Sequence, residues 1–497
     1  MVMRWKLVVG IVGGVALLCC GGAGAAIGTA WTRADTDTVG AVDFRNAVRV
    51  PPLATSRTDG DGRRVFDLTA RAGRHDFGGR TATTWGFDGA YLGPTLRAKR
   101  GERVVVNVRN ELAETTTVHW HGMHLPAVMD GGPHQVVTPG ETWSPTWRID
   151  QPAATLWYHP HLHGATADHV YRGLAGLFLI DDDTAPGLPA RYGVDDVPLV
   201  LQDKSFDGDG LDNGGAFLSD VGVLGDEMLV NGVRAPYLDV RTELVRLRLL
   251  NAGNARTLNL VFADARPFDL VATDGGLLDR PHRLTGLLLS PGERAEVVVR
   301  VRPGERAVLR SERPDRHPDG FQGRFQGGSD RFDILQVRAA GTLEPSPPLP
   351  AAFGPVDLPD PAQAVRTRTF DLSGTRINGA NMDLGRIDVA ATRGTTEIWE
   401  VRNRDGSPHN FHVHDVQVRV IDPVSPALSG RKDTVFATPG QVLRLAVRFD
   451  GPADPNVPYM YHCHVLRHED NGMMGQFVVV EPGQRPGTPP RARHDHD

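Results

Sequence analysis

A chain of 497 residues with a mild formal net charge of −6 is long enough for roughly two to four domains, each with its own core. Its 57 glycines and 37 prolines point to many turns between short strands, in a composition otherwise ordinary for a soluble protein. Lysine and arginine are dispersed rather than clustered, which excludes a nucleic-acid surface.

Residues 1–30 differ from all that follows. Arg4 and Lys6 make a basic start, Leu7 to Leu18 an apolar run, and small residues follow at Ala23–Ala25 and Gly28–Ala30. That is the pattern of an export signal. The apolar stretch to Ile27 is also long enough to stay as a membrane anchor. Cys19 and Cys20 are candidates for lipidation, although Leu18 is a poor residue to precede the first of them. With no Arg-Arg pair in this stretch, a twin-arginine route lacks support. A core helix of a cytosolic protein is the plain alternative; the reading taken is that the protein works outside the cytoplasm, secreted or held on the outer face of the membrane. Residues 31–61 are polar and irregular and read as a linker.

Beyond them one pattern occurs three times. A strand-like run ends in Asn110, Asn251 and Asn403, and a Pro-Gly turn follows each time: Thr138-Pro139-Gly140-Glu141, Ser290-Pro291-Gly292-Glu293 and Thr438-Pro439-Gly440-Gln441. β-Branched and polar residues alternate around these landmarks, as in half-buried sheets, and long amphipathic helical patterns are absent. The reading is all-β, with three tandem β-sandwiches over 62–190, 191–342 and 363–482. A Pro-rich linker spans 343–362 and a polar tail 483–497. The segment Ser311 to Phe332, which carries His317, reads as a solvated loop or as the border of a substrate opening.

Ten histidines fall in four clusters that avoid the middle domain. His119 and His121, then His159 and His161, lie in the first domain; His409, His412 and His414, then His462, His464 and His468, lie in the last. Alternate side chains of a strand share a face, so each His-x-His presents two imidazoles to one point. One such pair is weak evidence. Several in one chain exceed the three protein ligands a catalytic zinc needs and point to a multinuclear metal site.

The stretch from Tyr461 to Met474 adds a thiol and thioethers to these imidazoles, the ligand set that selects copper. Of three cysteines only Cys463 lies outside the N-terminal stretch, so it has no disulfide partner there. His462 and His464 project to one face and Cys463 to the other. A metal on the thiolate is thereby joined through adjacent backbone to metals held by its neighbours.

On these four motifs, in this order, the chain resembles a three-domain multicopper oxidase of the bacterial laccase, copper-efflux oxidase and bilirubin oxidase branch, over roughly Val65 to Glu481. The resemblance implies Greek-key cupredoxin sandwiches, a middle domain without copper that acts as a spacer, and about four coppers per chain. It puts type 1 copper on His409, Cys463 and His468 with Met473 axial, and type 2 copper on His119 and His412. The type 3 pair falls to His121, His159, His161, His414, His462 and His464. Met474 is an axial rival whose alternative is core packing beside Phe477. Strand phase alone admits His163, which the family pattern leaves out. His124, His134 and His169 read as surface residues or neighbours of the ligands, and His494 and His496 as part of a tail.

Reducing O₂ to water uses protons as well as electrons, so acids are expected near the cluster. Asp130 and Glu469 match positions that serve protons in similar oxidases, and Asp405 matches one that meets the electron donor; a turn-forming or surface role is the alternative for each. The implied activity is one-electron oxidation of phenols, aryl amines, tetrapyrroles such as bilirubin, or Cu(I), by a monomer. The nine methionines are scattered, which weakens a dedicated Cu(I) oxidase. The other classes considered are a non-enzymatic copper-binding cupredoxin-fold protein and a copper nitrite reductase. The third domain with its His-Cys-His weighs against the second of these.

Overall fold

A computed structural model describes residues 31, 34–183, 187–214, 219–314 and 320–490. The stretch read as export signal or anchor, His317, and the tail histidines His494 and His496 lie outside the described residues. No helix among the described residues is long and apolar enough to cross a membrane.

Six sheets pair into three cupredoxin-like sandwiches in tandem. In the first, a six-stranded sheet built on Arg64–Asp76 and Arg103–Asn110 faces a four-stranded one. Along Arg103–Asn110 the even positions Val104, Val106 and Val108 are buried, while the odd ones lean outward. Each buried valine contributes ~1.5–3 kcal/mol, so a one-residue slip that turned all three outward is strongly disfavoured. Phe66, Leu68, Leu156 and Phe178 fill the space between the sheets. The third sandwich closes in the same way around the fully buried Trp399.

The middle sandwich departs from simple alternation. All eight residues of Leu244–Asn251 are buried, including Arg246 and Arg248. Their face of the strand lies against the first sandwich, where Arg248 bonds Asp196 and Thr155, and both arginines bond Glu296. Paired carboxylates make the burial of two guanidinium groups tolerable.

The repeated asparagines and turns have one job. In each sandwich the Pro-Gly turn closes on itself (Glu141 N to Thr138 O, Glu293 N to Ser290 O, Gln441 N to Thr438 O), and its glycine N–H reaches the carbonyl of Asn110, Asn251 or Asn403. The side-chain amides of those asparagines donate to two further carbonyls apiece: Glu114 and Val137, Arg256 and Leu289, Ser407 and Ala437. The glycines have φ of 82°, 85° and 73°, a region open to glycine at no steric cost.

The stretch 31–61, read as a linker, is laid along sheet edges. Asn46–Ala47 runs parallel to Pro236–Tyr237 of the middle sandwich, and Ser56–Thr58 pairs with Arg64–Phe66 of the first. An edge strand needs only backbone groups to pair, so polar side chains gave no sign of it.

Candidate metal centre

Strand register assembles the histidines. In the first sandwich His119 sits opposite His159 and His121 opposite Trp157; in the third, His412 sits opposite His462. These two sheets meet across the seam between first and third sandwiches. On the strand His409–Val413 the period of two separates the histidines: His409 shares the inner face with the core residue Phe411, while His412 shares the seam face with His414 just beyond.

On the inner face, His409 Nδ1 and His468 Nδ1 lie 3.1 Å apart, and Cys463 Sγ is 3.6 and 3.7 Å from them. Their outer nitrogens are engaged: His409 Nε2 with Asp405 at 3.0 Å, His468 Nε2 with the Asp220 carbonyl at 3.1 Å. Both Nδ1 atoms are thereby left to face the sulfur, and two imidazoles with a thiolate are a donor set that could hold copper. Burial alone would raise the Cys463 thiol, but His409 and His468 bring it down to about 5, so the sulfur is available as thiolate. Met473 belongs to the same buried cluster as Cys463. Met474 is the cross-strand neighbour of His462 and so lies on the seam side.

On the seam face eight imidazoles converge. His161 Nε2 and His414 Nε2 lie 3.1 and 3.3 Å from His462 Nε2, and His121 Nδ1 lies 3.4 Å from His159 Nε2. His464 stands with its ring 5.0 Å from that of His121 and 5.2 Å from that of His159. His119 and His412 anchor their Nδ1 atoms on the carbonyls of Asp130 and Asp433, leaving each Nε2 buried without a hydrogen-bond partner. Orphaned buried nitrogens are rare and call for an explanation, and a metal provides it. Burial, with neighbouring imidazoles, holds His121, His159, His412 and His414 well below the usual histidine range and pushes His161 and His464 down to about 3. Neutral rings are the form that ligates. His462 differs: burial lowers it, but Glu469 beside it outweighs that and raises it.

Three buried carboxylates straddle the seam. Asp130 reaches His414 Nδ1 at 2.7 Å and His119 Nδ1 at 3.3 Å. Glu469 reaches His462 Nδ1 at 3.1 Å and His161 Nδ1 at 3.5 Å. Asp433 reaches His121 Nε2 at 3.1 Å and His412 Nδ1 at 3.7 Å. Each joins one histidine of the first sandwich to one of the third. Asp433 is in turn gripped by Arg294 of the middle sandwich through two bonds of 2.6 Å.

Two family models described as multicopper oxidase match residues 69–185 and 354–483. Multicopper oxidase mco of Staphylococcus haemolyticus is 35% identical over 447 residues, 88% of this chain and 93% of its own length. The chain belongs to the multicopper oxidase family. It is accordingly a copper-binding oxidoreductase that uses O₂. The laccase-like multicopper oxidase CueO from Ochrobactrum sp. superimposes with a TM-score of 0.79 at 38% identity, covering 87% of this chain and 100% of its own. Cell division protein FtsP of Edwardsiella tarda is 40% identical over 88% of this chain and 93% of its own length.

The remaining histidines fall outside these donor groups among the described residues, His163 included. His124 bonds Asp415, next to His414, at 2.8 Å, and His134 bonds Gln476. His169, expected at the surface or beside the ligands, is instead buried against Trp85 and bonded to Thr116. Asp433, Arg294, Asp220 and Asn410 were not singled out from sequence. Three of them carry no spacing signal; Asn410, between two clustered histidines, was the one open to detection. The middle sandwich supplies no donor to the groups found, yet it is more than the spacer expected, since Arg294 and Gly292 reach the seam.

Proposed function

We propose that His409, Cys463, His468 and Met473 would hold type 1 copper, that His119 and His412 would hold type 2 copper, and that His121, His159, His161, His414, His462 and His464 would hold the type 3 pair. Copper bound there supplies one-electron redox chemistry that couples oxidation of a reduced donor to the four-electron reduction of O₂ to water. The observation that carries the reading is the division at Cys463: its sulfur faces His409 and His468, while His462 and His464 on either side of it face the seam cluster.

Asp405 contacts His409 and is half-buried, so a donor approaching there meets a carboxylate one hydrogen bond from a ligand ring. Asp130 and Glu469 orient the ring nitrogens that face away from the cluster and are placed to hold protons beside it. The donor is a phenol, aryl amine, tetrapyrrole or Cu(I), and kinship with a laccase-like enzyme having oxidase activity towards lignin model compounds favours the aromatic ones. The basic start and apolar run of residues 1–30 support an extracytoplasmic protein, secreted or anchored. The test is O₂ uptake by copper-loaded protein with a phenol, bilirubin, Fe(II) and Cu(I) side by side, with copper counted per chain. O₂ uptake with none of the four, or a colourless protein, would overturn the reading.

A further inference from the structure

The strand that carries His409 and His412 has one buried polar side chain outside the donor groups, Asn410, and its amide is fixed at both ends. Nδ2 donates to the Pro291 carbonyl at 2.8 Å and to Ser290 Oγ at 3.1 Å; Oδ1 accepts the His464 N–H at 2.5 Å. A carbonyl can only accept and a backbone N–H only donate, so the two ends of this amide cannot be exchanged. Oδ1 also lies 3.6 Å from Cys463 Sγ. One side chain thus ties the peptide between Cys463 and His464 to the turn Ser290–Glu293 of the middle sandwich.

The same turn presses on the site directly. A Cβ at Gly292 would stand 3.0 Å from His464 Cγ and 3.2 Å from His121 Cε1. The corresponding glycines of the other two copies, Gly140 and Gly440, have nothing within 4 Å of such an atom. One turn occurs three times with the same internal bonds, and only in the middle copy does it abut donor residues. The turn's own folding does not require that contact.

We infer that Asn410 and the Ser290–Glu293 turn form a clamp through which the copper-free middle sandwich fixes the Cys463–His464 segment, with Asn410 as a positioning residue for the link between the two donor groups. This rests on the copper assignments proposed above. Asn410 Oδ1 places the negative end of a carbonyl dipole near the sulfur, where it disfavours an added electron. Its removal therefore raises the type 1 potential as well as freeing the His464 amide.

The test uses copper-loaded full-length protein and reads hydrogen exchange at the His464 amide and the type 1 potential. Asn410→Ala should speed exchange there at least tenfold and shift the potential upward; Ser290→Ala, which leaves the bond to Pro291, should do both to a smaller degree and retain the fold. Gly292→Ala and Gly440→Ala put the same strain on equivalent turns, and only the first should alter exchange at His464. Unchanged exchange and potential in both Asn410→Ala and Ser290→Ala would overturn the clamp, as would equal effects of the two glycine variants. Failure of the underlying assignment is distinguishable: the parent protein would then lack a thiolate–copper absorption band, whatever the exchange rates show.

Discussion

Arg294 is the residue on which all three sandwiches converge, and removing its charge is the severest single test of the site's architecture. It is fully buried, donates twice to Asp433 of the third sandwich at 2.6 Å, and donates to the carbonyl of Thr155 in the first at 3.1 Å. Arg294→Gln leaves Asp433 as a buried carboxylate beside His121 with its main counter-charge gone. Breaking such a pair from one side costs ~3–5 kcal/mol, most of it the stranded charge. For a unit of 150–250 residues that corresponds to about 10 °C in Tm. The double substitution Arg294→Gln with Asp433→Asn removes both charges and should recover much of the loss, giving a coupling energy of at least ~2 kcal/mol. The assay is denaturant unfolding of parent, both single variants and the double variant, followed by a probe of the third sandwich such as Trp399 fluorescence. Arg294→Gln costing under ~1 kcal/mol, or effects that simply add, would show that the network does not hold the seam.

Other perturbations separate the remaining roles. Cys463→Ser should abolish the blue colour and lower copper content by one from about four per chain, because hydroxyl does not replace thiolate as a soft ligand; metal analysis and the visible spectrum check this. Asp130→Asn should leave reduction of the type 1 centre unchanged and slow reoxidation by O₂ at least tenfold in stopped flow, whereas unaltered reoxidation would remove Asp130 from proton handling. Burial would raise the Glu296 carboxyl, but Arg246 and Arg248 hold it down to about 2. Its folded value lies below its unfolded one, so it contributes about 3 kcal/mol above pH ~4.5, and this is lost as pH falls towards 2. The stability gap between parent and Glu296→Gln, measured by urea unfolding across pH, should narrow below pH ~4.5, and a constant gap would count against the pairing.

The parts of the site that were legible in the sequence are those set by chain-local geometry. A period of two places His462 and His464 against Cys463, and it likewise puts His409 on one face and His412 with His414 on the other. The Asn and Pro-Gly landmarks gave three sandwiches because each closes the same local hydrogen bonds three times. Residues whose meaning lies in a distant partner stayed hidden. Arg294 meets Asp433 139 residues away, and Arg248 sits in a strand whose outer face is covered by another sandwich, so its charge suggested solvent. His169 likewise gave no hint of burial, since a lone histidine on a short helix looks the same whether water or Trp85 lies beyond it.

The three carboxylates that straddle the seam have a consequence for how the protein matures. Each steadies one ring from an early-synthesised part of the chain and one from the last part, so neither half is in place until the two have docked. A nascent or partly folded chain therefore offers only incomplete seam clusters, although the group of His409, Cys463 and His468 lies wholly within the third sandwich. If the seam clusters hold copper as proposed, those ions would be bound only after docking and would then tie the first third of the polypeptide to the last. Stripping the metal should loosen that joint before any sandwich unravels.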